Sequence, residues 1–148
     1  MLEAVATPRA APGPAPAPAA AGLVDAGPLH WLLRLACSAE FVGHGAFGIL
    51  TKAAWLPYFG TVGIPPALAW QLMPLIGTVD ITLGLLTLLR PTRAVLLYMA
   101  FWGLLTATLR PLSGEPIWEF VERVPNWAIP FSFLCVRGVG RSYSEWLN

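Results

Sequence analysis

The chain has 148 residues, 56% of them hydrophobic and 11% charged, with a formal net charge of +1. Soluble domains carry roughly 25% charged residues, so this composition argues against a soluble globular protein. A near-neutral chain also offers nucleic acid no electrostatic footing, and no nucleic-acid partner is expected.

Residues 1–28 are dominated by alanine and proline. Such a stretch cannot build a core, and a disordered or polyproline-like tail is expected. It has one early basic residue, Arg9, and no apolar stretch long enough for a signal peptide. The Ala, Pro, Leu and Arg bias fits a GC-rich, bacterial source.

Residues 29–148 then read as one membrane domain with four spans. About 20 apolar residues cross the hydrocarbon core. The first span is expected at about 29–50. Thr51 to Pro65 follows, with Trp55, Tyr58 and Phe59 suited to a membrane–water interface. Its prolines and glycines argue against a continued helix. The second span is expected at 66–89, with Pro74 inside it. The short Arg90–Arg93 turn predicts that spans two and three are antiparallel neighbours. The third span is expected at 93–110, where Thr106 and Thr108 bond back to their own helix. Glu115, Glu119 and Glu122 at i, i+4, i+7 predict a short interfacial helix with one acidic face. Arg110–Glu115 and Glu119–Arg123 are the expected ion pairs there. The fourth span is expected at 125–139. The fold class is therefore all-α: an integral membrane four-helix bundle behind a disordered tail. Four spans put both termini on one side with Arg9, Arg90, Arg93, Arg137 and Arg141. Lys52, Arg110 and Arg123 lie on the other, so the positive-inside rule places the termini in the cytoplasm.

Ionisable groups at membrane depth are costly and usually face a protein interior or a water-filled cavity. Span one holds Arg34, Glu40 and His44, and span two holds Asp80. Counting 1.5 Å per residue from Leu29 and Leu89 puts Arg34 roughly 7 Å deep, Asp80 about 13 Å and Glu40 about 17 Å. That order predicts an Arg34–Asp80 pair. Glu40 and His44 are i, i+4 and are expected to share a proton or hydrogen bond. Gly43, Gly45 and Gly48 permit close helix packing or leave room for a ligand. Glu40, His44, Asp80 and Arg34 are the candidates for a ligand site or proton relay. Arg110, Glu115, Glu119 and Arg123 are candidates at the outer interface.

His30 and His44 are separated by about 21 Å along one helix, so intrachain bis-histidine haem is not expected. Glu40, His44 and Asp80 are metal-ligand types, but ordinary hydrogen bonding explains them and no metal is expected. Cys37 and Cys135 form no CxxC pair and read as small buried apolar residues.

The early arginine of span one, its glycine-rich end, the Gly-x-x-Asp of Gly77 to Asp80 and the four-span layout together resemble the DoxX/SURF4-like group of small four-helix membrane proteins. The resemblance covers about Leu29 to Arg137. It implies a quinone-linked or redox role, since some members look like membrane subunits of quinone-linked oxidoreductases. The EFVGHG and WEFVER stretches depart from the group, and no catalytic residue is carried over. The leading expectation is a polar intramembrane site for a small lipophilic or redox molecule such as quinone. A proton-coupled transporter and a structural subunit or assembly factor are the alternatives. The bilayer is the expected partner, in the bacterial inner membrane, with the chain as a homodimer or part of a larger membrane complex.

Overall fold

The structure is a computed structural model that describes residues 26–148. The expected tail, with Arg9, lies outside the described residues except at its last three positions. There, helix α1 begins earlier than expected and runs Ala26–Ile49. A 3₁₀ turn follows at Ala53–Trp55, then α2 at Leu56–Thr61, α3 at Pro66–Leu89 and α4 at Arg93–Leu112. The chain ends with α5 at Ile117–Glu122, α6 at Val124–Arg137 and α7 at Tyr143–Trp146. All regular structure among the described residues is helical.

Two of these helices, α3 and α4, are long and apolar enough to cross a membrane. Helix α1 matches them in length, but Arg34, Ser38, Glu40 and two histidines dilute its apolar character. Helix α6 has 14 residues, about 21 Å, which is short of a hydrocarbon core of about 30 Å. The expected continuation of the fourth span to Val139 does not occur. Gly138 adopts φ +76°, a left-handed conformation that ends the helix after Arg137. Helix α4, by contrast, continues through Pro111 to Leu112.

The order of packing follows from small residues. Helix α3 buries one face, Ala69, Met73, Gly77, Asp80, Gly84 and Thr87. That stripe meets α1 so closely that a Cβ on Gly45 would lie 2.5 Å from the Gly77 carbonyl oxygen. One on Gly84 would lie 3.0 Å from the Ser38 carbonyl oxygen. Only glycine permits this backbone approach. Helices α4 and α6 pair in the same way, Gly103 lying against the Asn126 backbone. A core of Cys37, Phe41, Leu96, Met99, Phe133 and Leu134 joins α1, α4 and α6. Cys37 is buried within it, whereas Cys135 is exposed, because it falls on the outward face of α6.

Consecutive helices α3 and α4 are not packed along their length. They meet near their turn, where the Thr87 hydroxyl lies 3.1 Å from Met99 Sδ. Beyond that point each prefers another partner, α1 for α3 and α6 for α4. The expected neighbours thus meet at their turn and diverge beyond it, because the glycine stripe of α3 faces α1. Helix α2 touches both α3 and α4 and bridges their far ends.

Candidate functional site

An open cavity of about 310 Å³ lies between α3 and α4, with α1 and α2 contributing to its wall. Most of its wall is apolar: Phe41, Phe59, Leu72, Ile76, Leu105 and Leu109 are among its lining residues. Against this lining stand Glu40, His44, Asp80 and Asn126. Three of the four residues proposed for an intramembrane site thus share one chamber. The fourth, Arg34, does not.

Glu40 and His44 lie one turn apart on α1. His44 Nδ1 is 3.1 Å from Glu40 Oε1 and 3.2 Å from the Glu40 carbonyl oxygen. Both neighbours only accept, so Nδ1 carries a proton and donates it. The neutral ring then has its lone pair on Nε2. Asn126 Nδ2 stands 3.5 Å from that atom, on the donor side of the same arrangement. Trp55 stacks on the imidazole, with ring centroids 5.9 Å apart and planes at 17°. The carboxylate, the amide and the indole together hold the ring in one orientation, with a basic nitrogen turned away from its own helix.

Asp80 is buried on the stripe that faces α1. The Trp102 indole interacts with its carboxylate, while Oδ1 has no hydrogen-bond partner among the described residues. The expected Arg34–Asp80 pair is absent. Gly77 lies against Gly45 and Gly48, and Gly84 against Ser38 and Val42. This register brings Asp80 level with His44 and puts Arg34 at the end of α3. There, the Arg34 guanidinium donates to the carbonyl oxygens of Thr87, Leu88 and Leu89. Those are terminal carbonyls that α3 leaves open. Counting depth from Leu29 misplaced the two helices because α1 starts earlier and the glycines, not the ends of the apolar runs, set the register.

A polar cluster closes the α2 end of the cavity. Arg110 Nη1 lies 3.2 Å from Glu115 Oε2 and 3.1 Å from Glu119 Oε2. Its guanidinium sits 5.2 Å from the centre of the Tyr58 ring. The Tyr58 hydroxyl donates to Glu115 Oε1 at 2.6 Å. Burial and that hydrogen bond push the Tyr58 phenol up to about 12. The expected Glu119–Arg123 pair is replaced by Glu119–Arg110, because α5 is only six residues long and breaks at Arg123. Glu115 precedes α5 and so does not share a helical face with Glu119, though both reach Arg110. Arg123 instead borders a second space of about 50 Å³ next to the main cavity, with His44, Tyr58, Arg110 and Asn126. Its Nε is buried without a hydrogen-bond partner among the described residues.

Asn126 and Trp102 also stand in this wall, and nothing local in the sequence marks them for it. Asn126 sits where the Gly103 notch admits the start of α6, a contact with no local signature. Among the described residues, no three His, Cys, Asp or Glu side chains converge to hold a metal ion. Comparison of the chain with protein-family models, with curated proteins and with solved structures gave no match.

Proposed function

We propose that this chain is an integral membrane protein of the DoxX/SURF4-like type that binds a small lipophilic molecule between α3 and α4. Only 28% of the most apolar stretch of α3 and 33% of that of α4 is buried. Leu75, Leu85, Leu97 and Phe101 are all exposed along them. A soluble protein would cover such helices, whereas lipid solvates them. With α1 and α6 completing the bundle, four spans and cytoplasmic termini in a bacterial inner membrane are the topology this reading adopts.

The observation that carries the ligand assignment is the chamber itself. Its volume reaches the range of small-molecule sites, and such sites pair an apolar lining with a few convergent polar groups. A quinone or quinol has matching chemistry: a planar apolar ring with oxygens at its edge. The Glu40-held imidazole presents Nε2 as acceptor for a hydroxyl proton, and when protonated as donor to a carbonyl. Glu40 stabilises the charged ring, and Asn126 donates beside it. The lining around that proton is mostly apolar.

The test is a titration of purified protein in nanodiscs with decylubiquinone, read by quenching of tryptophan fluorescence; Trp55 and Trp102 line the chamber. Saturable quenching that His44→Ala weakens by about fivefold or more is expected, the value of one hydrogen bond of roughly 1 kcal/mol. Absence of saturable binding, or identical binding in His44→Ala and Glu40→Gln, would sink the assignment.

A further inference from the structure

We propose that the opposite end of the bundle binds the phosphate of an anionic phospholipid headgroup through Arg34, Arg93 and Arg137. These residues come from three helices: Arg34 from α1, Arg93 as the first residue of α4 and Arg137 as the last of α6. Arg137 lies within electrostatic range of both Arg93 and Arg34. Arg93 Nη2 donates to the Arg137 carbonyl oxygen at 3.0 Å and Arg34 donates to the carbonyls that end α3, just before the turn to Arg93, so the three arginines lie at one end of the bundle.

Among the described residues no Asp or Glu side chain answers them. The ion pairs among the described residues involve His44 and Arg110 only. Arg34 donates to the carbonyls that end α3. Arg93 donates to the carbonyl oxygens of Arg137, Gly138, Glu145 and Asn148. The peptide carbonyls among those acceptors are neutral dipoles, so the hydrogen bonds of Arg34 are satisfied but its charge is not; on Arg93 the oxygen of Asn148, the last residue, is the one acceptor that carries charge. The Glu145 carboxylate is turned elsewhere, to the Arg141 amide at 2.8 Å. Arg137 Nε is buried and has no hydrogen-bond partner among the described residues. A phosphate offers what the cluster lacks, negative charge and several acceptor oxygens in guanidinium geometry.

The surroundings favour a lipid over a free anion. Trp31 stacks beneath the Arg34 guanidinium, 4.7 Å from ring centre to Cζ, and is itself half exposed. Leu35, Leu89 and Val136 are exposed near the same end. A headgroup bound by the arginines would lay its acyl chains along these side chains. Basic pockets between helices on the cytoplasmic side are suited to anionic headgroups, so the site rests on the membrane reading given above, although not on the identity of the cavity ligand.

The experiment counts bound lipid by native mass spectrometry on full-length protein titrated with phosphatidylglycerol or phosphatidylcholine. Wild type is expected to hold one phosphatidylglycerol with at least roughly fivefold preference, the scale of one basic residue at an anionic surface. Arg137→Gln should bring that preference near unity, while Arg137→Lys, which keeps the charge, should retain most of it. Circular dichroism of each variant separates lost binding from lost folding. Equal retention of the two lipids by wild type, or an unchanged preference in a folded Arg137→Gln, overturns the site. Saturation by millimolar inorganic phosphate with no gain from the acyl chains assigns the cluster to a soluble anion and overturns the lipid. Insertion into phosphatidylcholine nanodiscs is scored separately. Protein that fails to insert overturns the membrane reading and this site together, whereas inserted protein without lipid preference overturns the site alone.

Discussion

His44 Nδ1 and Glu40 Oε1 are 3.1 Å apart across one turn of α1, and the Glu40 carbonyl accepts from the same nitrogen. The pair therefore specifies a tautomer. In ¹⁵N spectra of histidine-labelled protein, the His44 signals should report a protonated Nδ1 and an unprotonated Nε2. Glu40→Gln keeps one acceptor but removes the charge, and the backbone carbonyl remains. The tautomer should survive this change, while stabilisation of the imidazolium is reduced. A wild-type spectrum with the proton on Nε2 contradicts the geometry.

Arg34 and Asp80 do not act on each other. Arg34→Gln removes a cap from the last carbonyls of α3 and should destabilise the bundle by about 1–3 kcal/mol, the value of hydrogen bonds from a charged donor. Asp80→Asn changes the chamber instead. In a double-mutant cycle on unfolding, their coupling is expected below about 0.5 kcal/mol, as for sites that share no partner. A coupling of several times that size means that the two residues pair after all.

The glycines of one short stretch should differ sharply. A Cβ on Gly45 would meet the Gly77 carbonyl and Ile81 at 2.5 to 2.9 Å, while one on Gly43 meets nothing within 4 Å. Gly45→Ala should therefore destabilise by about 1–3 kcal/mol, the usual effect of overpacking. Gly43→Ala should be neutral or slightly stabilising, since alanine is the better helix former. Thermal unfolding in a fixed detergent compares them directly, and equal effects disprove the α1–α3 register.

Tyr58 gives the polar cluster at the α2 end of the cavity a signature in alkali. Its phenol is raised from an ordinary 10.0 to about 12, first by burial and then by its hydrogen bond to Glu115. The unfolded chain loses this proton first, so it binds fewer protons than the folded one over that interval. Stability from this group is complete below about pH 10 and is lost as pH rises toward 12. Tyr58→Phe should remove that part of the alkaline loss. Glu115→Gln should move the absorbance titration of Tyr58 toward its ordinary range. If Tyr58→Phe and wild type lose stability in parallel across this interval, Tyr58 is not the group responsible.

How far the sequence carried the reading depends on how local each cause is. The i, i+4 spacing of Glu40 and His44 is a property of one helix, so their contact was legible from spacing alone. The Arg110–Glu115 pair, five residues apart around a turn, was legible for the same reason. So were the back-bonds of Thr106 to Trp102 and of Thr108 to Leu104. The apolar runs placed α3 within the residues expected and α4 within two. Gly138 was visible as a residue, but its left-handed φ, which ends α6, was not.

Tertiary structure alone decided which helices touch. The short Arg90–Arg93 turn makes α3 and α4 antiparallel neighbours, but the buried glycines Gly77 and Gly84 bring the length of α3 onto α1. That choice opens the chamber between α3 and α4. It also shifts α1 along α3, carrying Asp80 to the level of His44 and Arg34 to the carbonyls of Leu88 and Leu89. Gly103 then admits Asn126 to the wall. By itself the sequence determined the approximate extents of α1, α3, α4 and α6, their apolar character and the polar residues that needed partners, but not α2 or α7. The partners themselves followed from helix register, because backbone approach at a glycine depends on which surface meets it, and that information is shared between two distant segments of the chain.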